Sequence, residues 1–121
     1  RKISLGNTYN DSSDPAIFHS DYHSTVEVYD REKKSWRLVD LTFYLLEVKM
    51  DNVRILNFID FLYLLNSAEE RDKMYISEYD PVQQKINIVN ICQARNFSGL
   101  MDYYKQNQKF CFVHKKGFFS F

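Results

Sequence analysis

Residues 23–43 read HSTVEVYDREKKSWRLVDLTF, and the reading of this stretch decides the fold. From His23 the residues alternate. Val26 and Val28 take one side of an extended chain; His23, Thr25, Glu27 and Tyr29 take the other. The polar run DREKKS interrupts the pattern, and Trp36 to Val39 carry it back. Two β-forming runs joined by a short polar turn predict an antiparallel hairpin. One end of that hairpin carries an imidazole, His23, and the other a carboxylate, Asp40.

Opposed residues in a hairpin have a constant index sum. His23 and Asp40 sum to 63, which centres the turn between Arg31 and Glu32. A two-residue loop there sets the pair face to face, with Cβ atoms about 5 Å apart. A longer loop makes them diagonal neighbours. Both registers allow an imidazole–carboxylate hydrogen bond. In such a pair the carboxylate fixes the imidazole tautomer, and the other ring nitrogen can activate a thiol or hydroxyl. A Cys beside that imidazole loses its proton near neutral pH. The same spacing also fits a plain polar pair on a half-exposed sheet.

The 121 residues fit one domain, and neither a linker nor an internal repeat is evident within 1–121. Apolar residues make up 45% and aromatics 17%, enough for a sizeable core, while three Gly and two Pro speak against a linker-rich chain. Sixteen basic side chains balance sixteen acidic ones, so net charge gives no reason to bind nucleic acid or an anionic membrane. No apolar run approaches the ~18 residues of a membrane span. Cys92 and Cys111 each lie in an apolar stretch and are expected to be buried thiols. The lack of a disulfide framework leans toward a reducing, cytoplasmic compartment. Because the sequence begins at Arg1, the natural N-terminus is expected further upstream.

Along the rest of the chain, KISL at 2–5 reads as a strand, and the Asn-, Asp- and Ser-rich run 7–22 reads as a long surface loop. FYLLEVK, 43–49, fits strand or helix equally. Asn57 is the expected N-cap of a helix over 57–66, with Asp60 in its first turn and Ile59, Leu62 and Leu65 on its apolar stripe. Ser67 with Glu70 forms a capping-box pattern that opens a second helix near 68. INIVNIC, 86–92, alternates as a strand. Ser98 is expected to cap a helix from Gly99 to about Gln106, and FCFVH with GFFSF to form a terminal hairpin. The class is α+β with an antiparallel sheet and packed helices.

HSTVEVY, then a turn, then WRLVDLT resembles the transglutaminase-like superfamily, whose members carry a run close to H-x-W-V-E-V-Y followed by W-x-x-V-D-P-T. RKISLG is similar to the R-x-V-x-G strand that follows the nucleophile helix in that family, and 53–66 to the leucine-rich helix that follows the aspartate in bacterial members. The resemblance implies a papain-like core, here in part, and a Cys-His-Asp triad in which His23 is the base and Asp40 orients it. It implies thiolate attack on an amide or ester carbonyl of a peptide or protein substrate, through a thioester, with hydrolysis or acyl transfer to follow. No cofactor is implied. Thr25 stands where the family has tryptophan, and Leu41 where it has proline. The family's nucleophile precedes its histidine, but no Cys precedes His23, so that segment is expected before Arg1.

Neither Cys92 nor Cys111 opens a helix, so packing is the expected role of both. His19, Asp21 and His23 recur at alternate positions, a loose metal pattern for which a cleft or loop role is the stronger reading. Tyr103 and Tyr104 fit core packing better than base stacking. The rival to the enzyme reading is a non-catalytic binding or scaffolding module that keeps the His–Asp hairpin for structure.

Overall fold

The computed structural model describes residues 1–5, 23–104 and 109–113. Eight strands, β1 (Lys2–Leu5), β2 (His23–Asp30), β3 (Ser35–Val39), β4 (Leu45–Met50), β5 (Arg54–Ile55), β6 (Met74–Asp80), β7 (Lys85–Asn90) and β8 (Phe110–Val113), form two antiparallel sheets. Their orders are β3-β2-β1-β8 and β5-β4-β6-β7. Three short helices complete the described fold: α1 (Phe58–Leu64), α2 (Ala68–Arg71) and α3 (Phe97–Tyr103). The α+β class with antiparallel sheets therefore stands. The long loop expected over 7–22, with His19 and Asp21 in it, and the GFFSF run lie outside the described residues.

The expected hairpin forms, with a four-residue loop. Asp30 pairs with Ser35 and Glu27 with Leu38, so the register places Thr25 opposite Asp40 and leaves His23 one diagonal step away. Asp30 builds the loop: its Oδ1 accepts from the N–H of Glu32 at 3.0 Å and of Lys33 at 3.1 Å. Lys34 closes it with a left-handed φ of 52°.

A second hairpin repeats the first, an internal repeat that the sequence alone does not display. Asp80 pairs with Lys85, and Asp80 Oδ1 accepts from Val82 N at 2.9 Å and Gln83 N at 3.1 Å. The bond from Gln83 leads the causes that hold the Asp80 carboxyl below its ordinary range. Gln84 takes the left-handed conformation at φ 53°. Asp30 to Asp80 is an offset of 50 residues, and the same offset relates Tyr29 to Tyr79, Val39 to Val89 and Asp40 to Asn90. After each hairpin comes a 3-10 turn, Leu41–Phe43 in one and Ile91–Gln93 in the other, capped by Asp40 and Asn90. The sheets also share one spatial order, a short edge strand (β8 or β5) and then a three-strand meander (β1-β2-β3 or β4-β6-β7), although β8 is the last described strand and β5 directly follows β4 in sequence. Residues 74–80, MYISEYD, lack a clean strand pattern because Glu78 breaks the apolar alternation while being buried itself; its Oε2 accepts from Arg95 N at 2.8 Å.

Several elements differ in detail from expectation. FYLLEVK resolves into the 3-10 turn and β4. The buried stripe of α1 and its C-cap is Phe58, Phe61, Leu62 and Leu65, leaving Ile59 exposed. Its N-cap is Asn57 as expected, with Oδ1 accepting from Asp60 N at 2.8 Å. The cap of α3 is Asn96, not Ser98: Asn96 Oδ1 accepts from Gly99 N at 3.0 Å, so the helix starts two residues earlier. β8 pairs with β1.

The core gathers Ile3 and Leu5 of β1, Leu38 of β3, Leu45 and Val48 of β4 and Ile76 of β6 against the α1 face and Leu100 and Tyr104. The two sheets meet where Asp40 and Leu45 exchange backbone bonds at 2.8 and 2.9 Å and Leu38 N donates to Leu56 O at 3.3 Å.

Gln84 carries a Cβ in a backbone region that suits glycine. Gln84→Gly is expected to raise stability by about 0.5 kcal/mol. Val82→Gly, in the same turn without positive φ, is expected to lower it. Thermal unfolding of the two variants checks the pair of signs.

Candidate functional site

The inward face of β2 is unusual for a buried strand, because it is polar. His23, Thr25 and Glu27 are buried, while Val28 and Tyr29 are exposed. Buried polar groups need partners, and each of these has one. Glu27 accepts from the Phe58 N–H at the start of α1, 2.8 Å, and pairs with Arg1 Nε, also 2.8 Å. Arg1 in turn sits over the Trp36 and Phe112 rings at 4.1 and 4.4 Å. Thr25 donates to the Val39 carbonyl at 2.9 Å.

His23 and Asp40, the pair singled out in the sequence, come together. His23 Nε2 lies 2.6 Å from Asp40 Oδ2, with both side chains almost wholly buried. Asp40 gathers two further donors: the Tyr104 hydroxyl bonds the same Oδ2, and Thr42 N bonds Oδ1 at 3.1 Å. Burial, followed by the charge of Asp40 and its hydrogen bond, holds the Tyr104 hydroxyl well above the usual tyrosine range, against a smaller opposing bond from Thr25. The imidazole is enclosed by aromatic rings. Tyr103 stacks on it at 4.6 Å and 23°, Phe43 tilts against it at 5.5 Å, and Tyr104 presents an edge at 6.2 Å.

Topology decides what else can reach the imidazole. Leu5 pairs with both His23 and Phe110, so these three share one face of the sheet. Ser4 pairs with Ser24 and Cys111, which puts Cys111 on the opposite face from His23. Cys111 is half-buried rather than buried, and Cys92 is exposed. The expectation of two buried thiols therefore fails. Cys92 follows β7 in a 3-10 turn whose inward residue is Ile91. No set of three or more metal-ligating side chains gathers among the described residues.

Tyr103, Tyr104 and Phe43 are the site residues that sequence reading missed as partners of the pair. Tyr104 lies 64 positions from Asp40, so no local spacing connects them. The one available signal was chemical: a tyrosine in the core needs somewhere to put its hydroxyl.

No protein-family model matches this chain, and neither the curated proteins nor the solved structures compared with it give a match.

The raised Tyr104 hydroxyl sets an alkaline limit on the fold. Below pH ~10 the tyrosine is protonated in both the folded and the unfolded state. Above that the unfolded chain ionises while the folded one keeps its proton, so stability falls with rising pH. The stability difference between wild type and Tyr104→Phe is expected to be constant below pH ~10. It should then shrink by about 1.4 kcal/mol per pH unit above it. Urea unfolding of both proteins from neutral pH upward reads this directly.

Proposed function

We propose that this chain is a non-catalytic binding or scaffolding module, in which His23–Asp40 closes the fold instead of driving a reaction. The observation that carries this reading is the equivalence of Asp40 and Asn90. Both stand at the end of the third strand of their meander, and both cap the 3-10 turn that follows. Each also ties that turn back to the start of the second strand. Asp40 does so by bonding the side chain of His23. Asn90 donates its Nδ2 to the carbonyls of Arg71 and Asp72, at 3.1 and 3.2 Å, just before β6. One joint, used twice, has a structural purpose in both places. The aromatic enclosure of His23 and the placement of Cys111 across the sheet support the same reading. A groove of about 370 Å³ lined by Val28, Arg37, Val39, Leu46, Glu47, Ser77 and Ile86 offers a mixed apolar and charged surface for a peptide or protein partner.

The second reading is the transglutaminase-like one, with a papain-like core, His23 as base and Asp40 as the residue that orients it. It is favoured by the 2.6 Å bond through Nε2, which leaves Nδ1 as the nitrogen for a thiol. On that reading a cysteine outside this chain supplies the nucleophile.

The two readings separate in one experiment. The product of the complete natural reading frame that carries residues 1–121 is incubated with a glutamine-containing peptide and a primary amine, and with an activated thioester, and every cysteine, inside and outside these residues, is then examined by mass spectrometry. No acyl adduct or amide product that depends on His23 is expected. A cysteine acylated in wild type and not in His23→Ala would overturn the module reading. His23→Ala is itself expected to cost about 2–4 kcal/mol in urea unfolding, because it strips a buried carboxylate of a hydrogen-bonded partner.

A further inference from the structure

The repeat makes a demand at the edge of the second sheet. In the first meander the third strand, β3, has an occupied outer edge: Leu38 N donates to Leu56 O at 3.3 Å and Asp40 N to Leu45 O at 2.8 Å. The equivalent strand of the second meander is β7, in which Ile88 stands for Leu38 and Asn90 for Asp40. β7 is the last strand of its sheet, with β6 on one side and no strand on the other among the described residues.

Edge strands are normally protected by charge, proline or a bulge. β7 has none of these past its first residue. From Ile86 to Ala94 the sequence INIVNICQA carries no charged side chain and no proline. The pairing of β7 with β6 is regular from Asn90 to Lys85. Ile86 and Ile88 are 58% and 67% exposed on one face of the strand.

We propose that the outer edge of β7, open among the described residues, docks on a second copy of this chain, β7 against β7 in antiparallel pairing about a two-fold axis. The strand suits itself as a partner. By the register it shares with β3, the N–H groups of Ile86, Ile88 and Asn90 face away from β6. Pairing Ile86 of one copy with Ile88 of the other, around Asn87, matches outward groups to outward groups. It also gathers four isoleucines into one apolar cluster. Lys85 falls opposite Val89 of the other copy, so the two ammonium groups do not meet. The result is one continuous antiparallel sheet across two copies, a symmetric closed assembly in which each edge protects the other. The dimer deepens the scaffolding reading by naming its partner and rests on that reading for its biological use. Its physical existence stands on β7 alone.

Sedimentation velocity of the chain over a micromolar-to-millimolar series tests the proposal. Wild type is expected to pass from monomer to dimer. Ile88→Lys, whose side chain is exposed in the monomer, should weaken the dimer about tenfold or more. Val53→Lys, at a still more exposed apolar residue away from β7, should leave it unchanged. A monomer at every concentration, or a dimer indifferent to Ile88→Lys, would overturn the proposal. Because the acylation experiment reads a different group, a failed dimer would leave the non-catalytic reading standing, and an acyl adduct would leave the dimer standing.

Discussion

A buried carboxylate is costly, and the described structure is arranged around one. Asp40 is 1% exposed. Leaving water costs an ionised carboxylate several kcal/mol unless donors replace the solvent. Three donors do so, and they come from three places: His23 at the start of β2, Thr42 in the 3-10 turn, and Tyr104 at the end of α3. The backbone of Asp40 simultaneously joins the two sheets through Leu45. Satisfying one carboxylate therefore fixes four elements relative to one another. This explains why the inward face of β2 is polar although it lies in the core.

The repeat shows how the same chain solves one problem under two conditions. At the end of the first meander the joint is enclosed, and it uses an ion and two aromatic donors. At the end of the second it lies nearer the surface. An amide suffices there, because Asn90 can accept from Cys92 N at 2.9 Å and donate to two carbonyls without carrying a charge. Hydrogen bonds to a buried carboxylate gain strength from the low dielectric, provided every donor is present. An amide at the rim avoids the desolvation cost. Repeated units bury their open sides against one another, and the junction between β3 and the β4–β5 pair is one such side already covered.

Much of this was legible in the sequence wherever a local rule governs. The hairpin over 23–40, the Asn57 cap and the Ser67 capping turn follow from short-range chemistry and are present, and the strand expected over 86–92 forms over 85–90, its last two residues turning into a 3-10 turn. The His23–Asp40 contact was readable because a hairpin turns sequence distance into spatial proximity. Two kinds of feature were not readable. Tyr104 reaches Asp40 through tertiary packing alone. The repeat was concealed because its identical positions are few, and because buried Glu27 and Glu78 spoil the apolar periodicity of β2 and β6. Cys92 looked buried because its stretch is apolar, but it follows an edge strand, where apolar residues stay exposed.

The most direct test of the central claim is a double-mutant cycle on His23→Ala and Asp40→Ala, read by urea unfolding. If Asp40 is the hub that closes the fold, the two losses are strongly non-additive, with a coupling of about 1–3 kcal/mol. Losses that add to within about 0.5 kcal/mol would contradict the account, because the pair would then stabilise nothing jointly.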